Sequence, residues 1–218
     1  MSIRHSKRKR PIHPNPIYRQ TPPDQAIEFA RDRAFGTLTI NGDEGPLASH
    51  VPFVLSEDGK TADIHLVRSN PIVRALSDPQ KCLLAVNGAD SYISPDWYNL
   101  DHQVPTWNYV AAHLRGTLEK LPDDAMRDML DRQSAFFESR LLPKTPWKTD
   151  KMPDEAIDRM MRQIVPVRLT ITSVDGTWKL AQNKPDEARL SASKEVDQHG
   201  FGLEPSTIAS LMRASLAD

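Results

Sequence analysis

Residues 104–118 run Val-Pro-Thr-Trp-Asn-Tyr-Val-Ala-Ala-His-Leu-Arg-Gly-Thr-Leu, setting the Trp107 indole, the Asn108 amide, the Tyr109 phenol and the His113 imidazole on one predicted strand. Three further stretches concentrate polar chemistry in the same way: Ser49-His-Val-Pro-Phe53, His65-Leu-Val-Arg-Ser-Asn-Pro71 and Trp178-Lys-Leu-Ala-Gln-Asn183. Together they point to a small-molecule site assembled from several strands. Arg68-Ser69-Asn70-Pro71 ends a strand and opens a helix, so it joins a cation, a hydroxyl, an amide and unpaired helix N-terminal N–H groups, the parts of a phosphate site. The same Ser69 and Asn70 would also stand there simply to cap the helix. Ser49 and His50 lie in a strand whose neighbours Val51, Phe53 and Val54 should be buried, and Pro52 cannot donate to a ladder. That strand is therefore expected at a sheet edge, with backbone groups free to meet a ligand.

His50, His65 and His113 all fall on predicted strands, which opens three readings: hydrogen-bonded half-buried imidazoles, cofactor contacts, or a metal or haem site. Their spacing matches no metal motif, and the chain lacks Cys-x-x-Cys and His-Glu-x-x-His. Trp107, Tyr109 and Trp178 either contact a ligand or fill a core or an interface. The absence of Gly-x-Gly-x-x-Gly, of a Walker loop and of Gly-x-Ser-x-Gly argues against a Rossmann cofactor site, a P-loop and an α/β-hydrolase.

The elements that must position these residues are short and strand-rich, since 18 prolines punctuate the 218 residues. A helix is predicted from about Pro22 to Arg33, then strands over Phe35–Ile40, Pro46–Leu55 and Ala62–Val67, with turns at Asn41-Gly42 and Glu57–Lys60. A short helix follows Asn70. Strands over 81–87 and 91–94, joined at Gly88, precede a polar loop from Pro95 to Pro105. Trp107–Lys120 is predicted as a long strand in which Gly116 marks a bulge or a close backbone approach. Helices are expected over Pro122–Arg140 and Pro153–Arg162, then a strand over Val165–Val174 and a turn at Asp175-Gly176. Beyond Pro185 a helix is weakly marked, and a clearer one spans Pro205–Leu216.

The 28 basic and 29 acidic residues leave a net charge of −1, which predicts no general attraction to nucleic acid or anionic membranes. Arg4, Lys7, Arg8, Lys9 and Arg10 form a basic arm that precedes every acid in the chain, so the remainder carries 23 basic against 29 acidic residues, about −6. The arm reads either as a solvated tail or as a polyanion contact. With no signal-peptide core and no run of about 18 apolar residues, a cytoplasmic protein without membrane attachment is expected. The single cysteine, Cys82, excludes an internal disulfide framework and reads as core.

These residues resemble the PaiB-like FMN-binding negative transcriptional regulators, within the split-barrel flavoproteins that include the pyridoxamine phosphate oxidases. The likeness runs in order through Phe35-Gly-Thr-Leu38, Gly45–Phe53, His65–Pro71 with Arg74-Ala-Leu76, Tyr92–Tyr98, Val104–Tyr109, His113–Gly116, Pro146-Trp147 and Lys179–Asn183. It implies a mainly β fold with peripheral helices (α+β): a six-stranded split β-barrel that dimerises with FMN between subunits. The chain is accordingly divided into a tail over 1–20, an FMN-binding domain over 21–183 with a helical insertion at 122–163, and a helical extension over 184–218; the basic tail is extra to the family pattern, and the segment after Asn183 matches it poorly. By the same likeness Ser49, His50 and Val51 approach the flavin ring or ribityl, and His65 and Val67 lie on the strand end that meets the cofactor. Arg68, Ser69 and Asn70 take the phosphate, and Trp107, Asn108, Lys179 and Gln182 add contacts. Lys179 stands where the oxidases commonly have arginine, which removes a bidentate contact. Three functions follow as expectations: a dimeric FMN-binding repressor, an FMN-dependent oxidoreductase with unassigned catalytic residues, and a haem-binding split barrel. DNA binding has little support in the charge of the body, and no helix-turn-helix is evident.

Overall fold

The computed structural model describes residues 13–215. The basic arm Met1–Arg10, the start of the expected 1–20 tail and the last residue of the helix expected to end at Leu216 lie outside the described residues. Among the described residues six α-helices and seven strands follow in chain order: α1 (Pro23–Arg33), β1 (Phe35–Gly42), β2 (Gly45–Pro52), β3 (Val54–Leu55), β4 (Thr61–Val67), α2 (Pro71–Ala75), β5 (Gln80–Ile93), β6 (Thr106–Lys120), α3 (Ala125–Glu138), α4 (Asp154–Met161), β7 (Ile164–Lys179), α5 (Asp186–His199) and α6 (Pro205–Ala214). The strands hydrogen-bond in the order β2-β1-β5-β6-β7-β4-β3. The chain divides into two compact units, Ile27–Val86 with His113–Val174, and the described parts of Met1–Ala26, Asn87–Ala112 and Asp175–Asp218.

In the first unit β1 and β2 form an antiparallel hairpin whose Gly42–Gly45 pair closes a two-residue loop at Asp43-Glu44. The turn therefore sits two residues beyond the predicted Asn41-Gly42, because Gly45 supplies the φ of +134° that an L side chain resists. The strand predicted over Pro46–Leu55 breaks in two. Pro52 has no N–H to give, and the Phe53 N–H leaves the ladder to bond the Ala34 carbonyl at 3.0 Å. Beyond that point Val54 and Leu55 pair with Asp63 and Ala62 of β4 instead of with β1. One stretch of chain thus supplies both ends of the strand order, which curls the sheet into a split barrel with seven strands in place of the six expected. Leu38, Ile40, Ile64, Leu84, Leu114, Leu118, Val167 and Leu169 fill it and are fully buried, each contributing about 1.5–3 kcal/mol relative to exposure. Cys82 is buried among them, and burial pushes its thiol up to about 12, so it is core rather than a nucleophile.

Two predicted breaks are absent. β5 runs unbroken through Gly88, and β7 runs through Asp175-Gly176. In β5 the buried positions are Cys82, Leu84 and Val86 before Gly88, and Ala89, Ser91 and Ile93 after it, so the inward face changes parity there. That change coincides with the boundary between the two units and explains why period-two reading split the strand.

In the second unit α5 is a full 14-residue helix. It buries Ala188, Ala192 and Val196 at four-residue spacing and packs on α6, whose Ile208, Ala209 and Met212 are fully buried. After α5 the chain lies along the end of β5, with Asp90 N–H donating to the Leu203 carbonyl at 2.7 Å and Tyr92 N–H to the Phe201 carbonyl at 3.1 Å.

Candidate functional site

Eight of the twelve predicted site residues belong to the first unit. On β2, side-chain alternation puts Ser49 and Val51 on the inward face and His50 on the opposite one, where it stacks on the exposed Phe35 at 6.5 Å. Val51 is buried. β2 ends the strand order and pairs only with β1, so its outer edge carries unpaired backbone donors and acceptors, as Pro52 foretold. Asn70 joins that strand to the next corner: its Nδ2 donates to Ser49 Oγ at 2.7 Å while its Oδ1 accepts the Ile72 N–H at 2.9 Å. The amide therefore caps α2 and braces β2 at once. α2 has only five residues, which removes most of the helix-dipole support expected for an anion there.

Arg68 turns away from this corner. Its Nε donates to the Arg162 carbonyl at 2.9 Å and its Nη2 to the Ile164 carbonyl at 3.1 Å, with Asp123 at 3.7 Å, although half of the side chain stays exposed. Arg74 is the cation that sequence reasoning passed over: its Nη2 donates to the Ser69 carbonyl at 3.0 Å. Its position four residues after the cap, in the last turn of α2, was the signal. Ser69 and Val67 are exposed.

His65 faces α3, with Nδ1 2.8 Å from Gln133 Oε1, while Gln133 Nε2 donates to the Asp63 carbonyl at 3.1 Å. His65 and Pro52 line a cavity of about 380 Å³ together with Leu130, Phe137 and Trp147. Two residues along the same strand face, the buried Asp63 carboxylate accepts from Arg168 at 2.6 and 2.9 Å and from Arg132 at 2.8 Å. Burial alone would raise the Asp63 pKa, but the hydrogen bonds and charges of the two arginines outweigh it and hold the carboxyl below its ordinary value. His50, His65 and His113 make separate contacts, and among the described residues no three metal-ligating side chains come together.

The other four predicted residues lie in the second unit. Trp107 is 44% exposed and packs edge-on to Phe201 at 5.6 Å and Tyr92 at 6.2 Å. Asn108 is fully buried, donates to Met212 Sδ at 3.4 Å and leaves its Oδ1 without a partner. Lys179 Nζ donates to Thr106 Oγ1 at 2.5 Å, and burial lowers its pKa. Gln182 serves its own turn, accepting the Leu180 N–H at 2.8 Å and donating to the Trp178 carbonyl at 2.5 Å. Among the described residues no helix is long and apolar enough to cross a membrane.

The family model described as "Putative FMN-binding domain" matches residues 12–173. Protease synthase and sporulation protein PAI 2 of Bacillus subtilis is 26% identical over 181 residues, covering 82% of this chain and 86% of that protein. An uncharacterised Saccharomyces cerevisiae protein is 43% identical over 106 residues, 44% of this chain and 63% of the yeast protein. Among solved structures, an FAD and haem binding protein from Mycobacterium smegmatis superposes with a TM-score of 0.55 at 19% identity, covering 74% of this chain and 73% of that one. A conserved hypothetical protein from Mycobacterium tuberculosis gives 0.52 at 13% identity, covering 77% and 91%. At such identities the structural likeness establishes the fold alone, and the family match carries the cofactor class. The chain belongs to the PaiB-like FMN-binding split-barrel family.

Proposed function

We propose that this FMN-binding split-barrel protein works as a homodimer that senses or carries flavin and represses transcription. The reading rests first on the Ser49–Asn70 hydrogen bond, which couples the open edge of β2 to a corner where Arg74 holds the Ser69 carbonyl. The donor set suits the group: hydroxyl and amide from Ser49, Ser69 and Asn70 and guanidinium from Arg74 are the partners a phosphate monoester takes, and the half-exposed Arg68 would join them by leaving the Arg162 and Ile164 carbonyls. Strand-edge N–H and C=O groups near Ser49–Val51 offer complementary bonds to the heteroatoms of an isoalloxazine ring. Bound FMN would supply a redox-active ring, and the residues of this chain would supply orientation and charge balance.

Dimerisation is supported by the exposed Trp107 and Phe201, the latter 58% exposed, packed about the half-buried Tyr92, since water-facing aromatics gathered in this way mark association surfaces. Repression is supported by kinship with the PaiB-like proteins and by the basic arm Met1–Arg10, which could overcome the acidity of the remaining chain.

Titration with FMN, followed by flavin fluorescence, tests the cofactor site. Arg68→Ala and Arg74→Ala are expected to weaken FMN by about tenfold to a hundredfold each, the loss of a charge-assisted hydrogen bond of about 1.5–3 kcal/mol. Wild-type affinity in the double variant would sink the assignment. Anaerobic NADPH should leave the bound flavin yellow in a regulator, whereas bleaching would make the protein a reductase. Retention of double-stranded DNA is expected to fall sharply when residues 1–10 are deleted, and unchanged retention would exclude the arm as the contact.

A further inference from the structure

We propose that the second unit holds a binding site for a small organic acid, a carboxylate of a few carbons bearing a neighbouring hydroxyl or amino group. The site is a cavity of about 230 Å³ lined by residues of that unit alone, including Tyr18, Tyr98, Asn108, Lys179, Ala181 and Lys184. Its volume falls below the roughly 300–1,000 Å³ that cofactors and drug-sized ligands occupy, so the occupant is small. Lys179, Ala181 and Lys184 also lie beyond residue 173, where the family match ends.

Charge defines the class of ligand. The lining contains two lysines and no Asp or Glu. Each amine bonds a neutral oxygen, Lys179 the Thr106 hydroxyl at 2.5 Å and Lys184 the Gln103 amide carbonyl. The remaining faces look onto aromatic rings, Lys179 Nζ at 5.9 Å from the centre of Tyr18 and Lys184 Nζ at 5.4 Å from that of Tyr98. Among the described residues neither ammonium has a counter-ion, which favours an anion between them. Burial lowers the Lys179 pKa, the direction expected where that charge goes uncompensated.

Asn108 adds a second requirement. Among the described residues its buried Oδ1 has no partner, and its Nδ2 reaches only a thioether. An unsatisfied buried acceptor costs about 1–3 kcal/mol, which a ligand O–H or N–H would recover. A carboxylate with an adjacent donor satisfies both the amines and the amide; acetate satisfies only the amines. The wall is also held in an unfavoured backbone state: Ala181 has φ +63°, fixed by the two hydrogen bonds of Gln182 to Leu180 and Trp178. Left-handed backbone at a residue with a Cβ persists where the surroundings impose it, commonly at ligand sites.

Calorimetric titration of the full chain with glycolate, lactate and serine tests the proposal, with acetate and methyl lactate as controls and flavin occupancy read from the visible absorbance of each sample. Glycolate or lactate is expected to bind, methyl lactate at least about tenfold more weakly; Lys179→Met and Lys184→Met should each reduce affinity about tenfold, and Lys184→Met, outside the flavin contacts, should do so with flavin occupancy retained. Asn108→Leu should erase the preference for lactate over acetate. Equal binding of acid and ester, indifference to both lysine variants, or no heat with any of the three acids overturns the site. Loss of flavin together with acid binding in the lysine variants would return these residues to the cofactor and equally overturn it.

Discussion

Gly116→Ala is expected to be the most damaging single-methyl change in the barrel. A Cβ on Gly116 would sit 1.9 Å from the Thr170 carbonyl oxygen, 2.8 Å from the Thr170 carbonyl carbon and 2.7 Å from Leu169 Cδ1. The nearest atoms are backbone of the neighbouring strand β7, so no rotamer change relieves the clash; β6 and β7 must separate locally. Overpacking of a well-packed core costs about 1–3 kcal/mol even where side chains can adjust, so a backbone clash should cost at least about 3 kcal/mol. For a domain of this size that is a fall of roughly 6–12 °C in melting temperature. Thermal unfolding by far-UV circular dichroism reads it directly, with soluble yield as the second measure if the variant does not fold. A wild-type melting temperature would show that the strands are not packed this closely. The effect reaches function because β7 also pairs with β4, the strand that leads to Arg68, Ser69 and Asn70.

Asp63→Asn should follow it in size, and its effect should depend on pH. The carboxylate is 5% exposed and forms a bidentate pair with Arg168 and a further bond with Arg132. Removing one partner of a buried ion pair costs about 3–5 kcal/mol, and the lower end applies because both arginines keep access to water. In the folded chain the Asp63 pKa lies below its ordinary value, which means the unfolded chain takes up the proton first as pH falls. The contribution is therefore complete above the unfolded carboxylate value of about 3.9 and disappears as pH falls through it toward the depressed folded value. Urea unfolding at pH 7, 5 and 3 should show the gap between wild type and Asp63→Asn shrinking with acid; a gap that stays constant would mean that the charge does not act. Since Arg132 of α3 bonds the Asp63 carboxylate and its neighbour Gln133 bonds His65, the variant should also loosen α3 over the His65 cavity and weaken flavin binding at neutral pH.

Local chemistry explains which elements were legible before folding. The Asn70-Pro71 cap, the Pro52 edge and the close approach at Gly116 follow from groups that act within a few residues: an amide that can reach an N–H two residues on, a ring without a donor, a missing Cβ. The α5 helix was faint because its buried stripe of Ala188, Ala192 and Val196 is made of small residues, and only packing on α6 gives that stripe its value. The break at Phe53 was hidden because Val51, Phe53, Val54 and Leu55 read as one β-prone run, and the deciding event is a hydrogen bond to Ala34, far away in sequence.

For the candidate site, residue types and order determined the family and marked the corner: Arg68, Ser69 and Asn70 gather a guanidinium, a hydroxyl and an amide at a strand end, a set that serves a phosphate or a helix cap alike. Tertiary structure alone decided where each side chain points. It committed Arg68 to the carbonyls of Arg162 and Ile164, delivered Arg74 to Ser69, tied His65 to Gln133 and spent Gln182 on its own turn. It also brought Lys179, Lys184, Tyr18 and Asn108, scattered across 167 positions of chain, around one cavity. The physical reason is that a residue's chemistry is carried by its own atoms, whereas its partners are set by strand pairing and helix packing between segments that sequence order does not juxtapose.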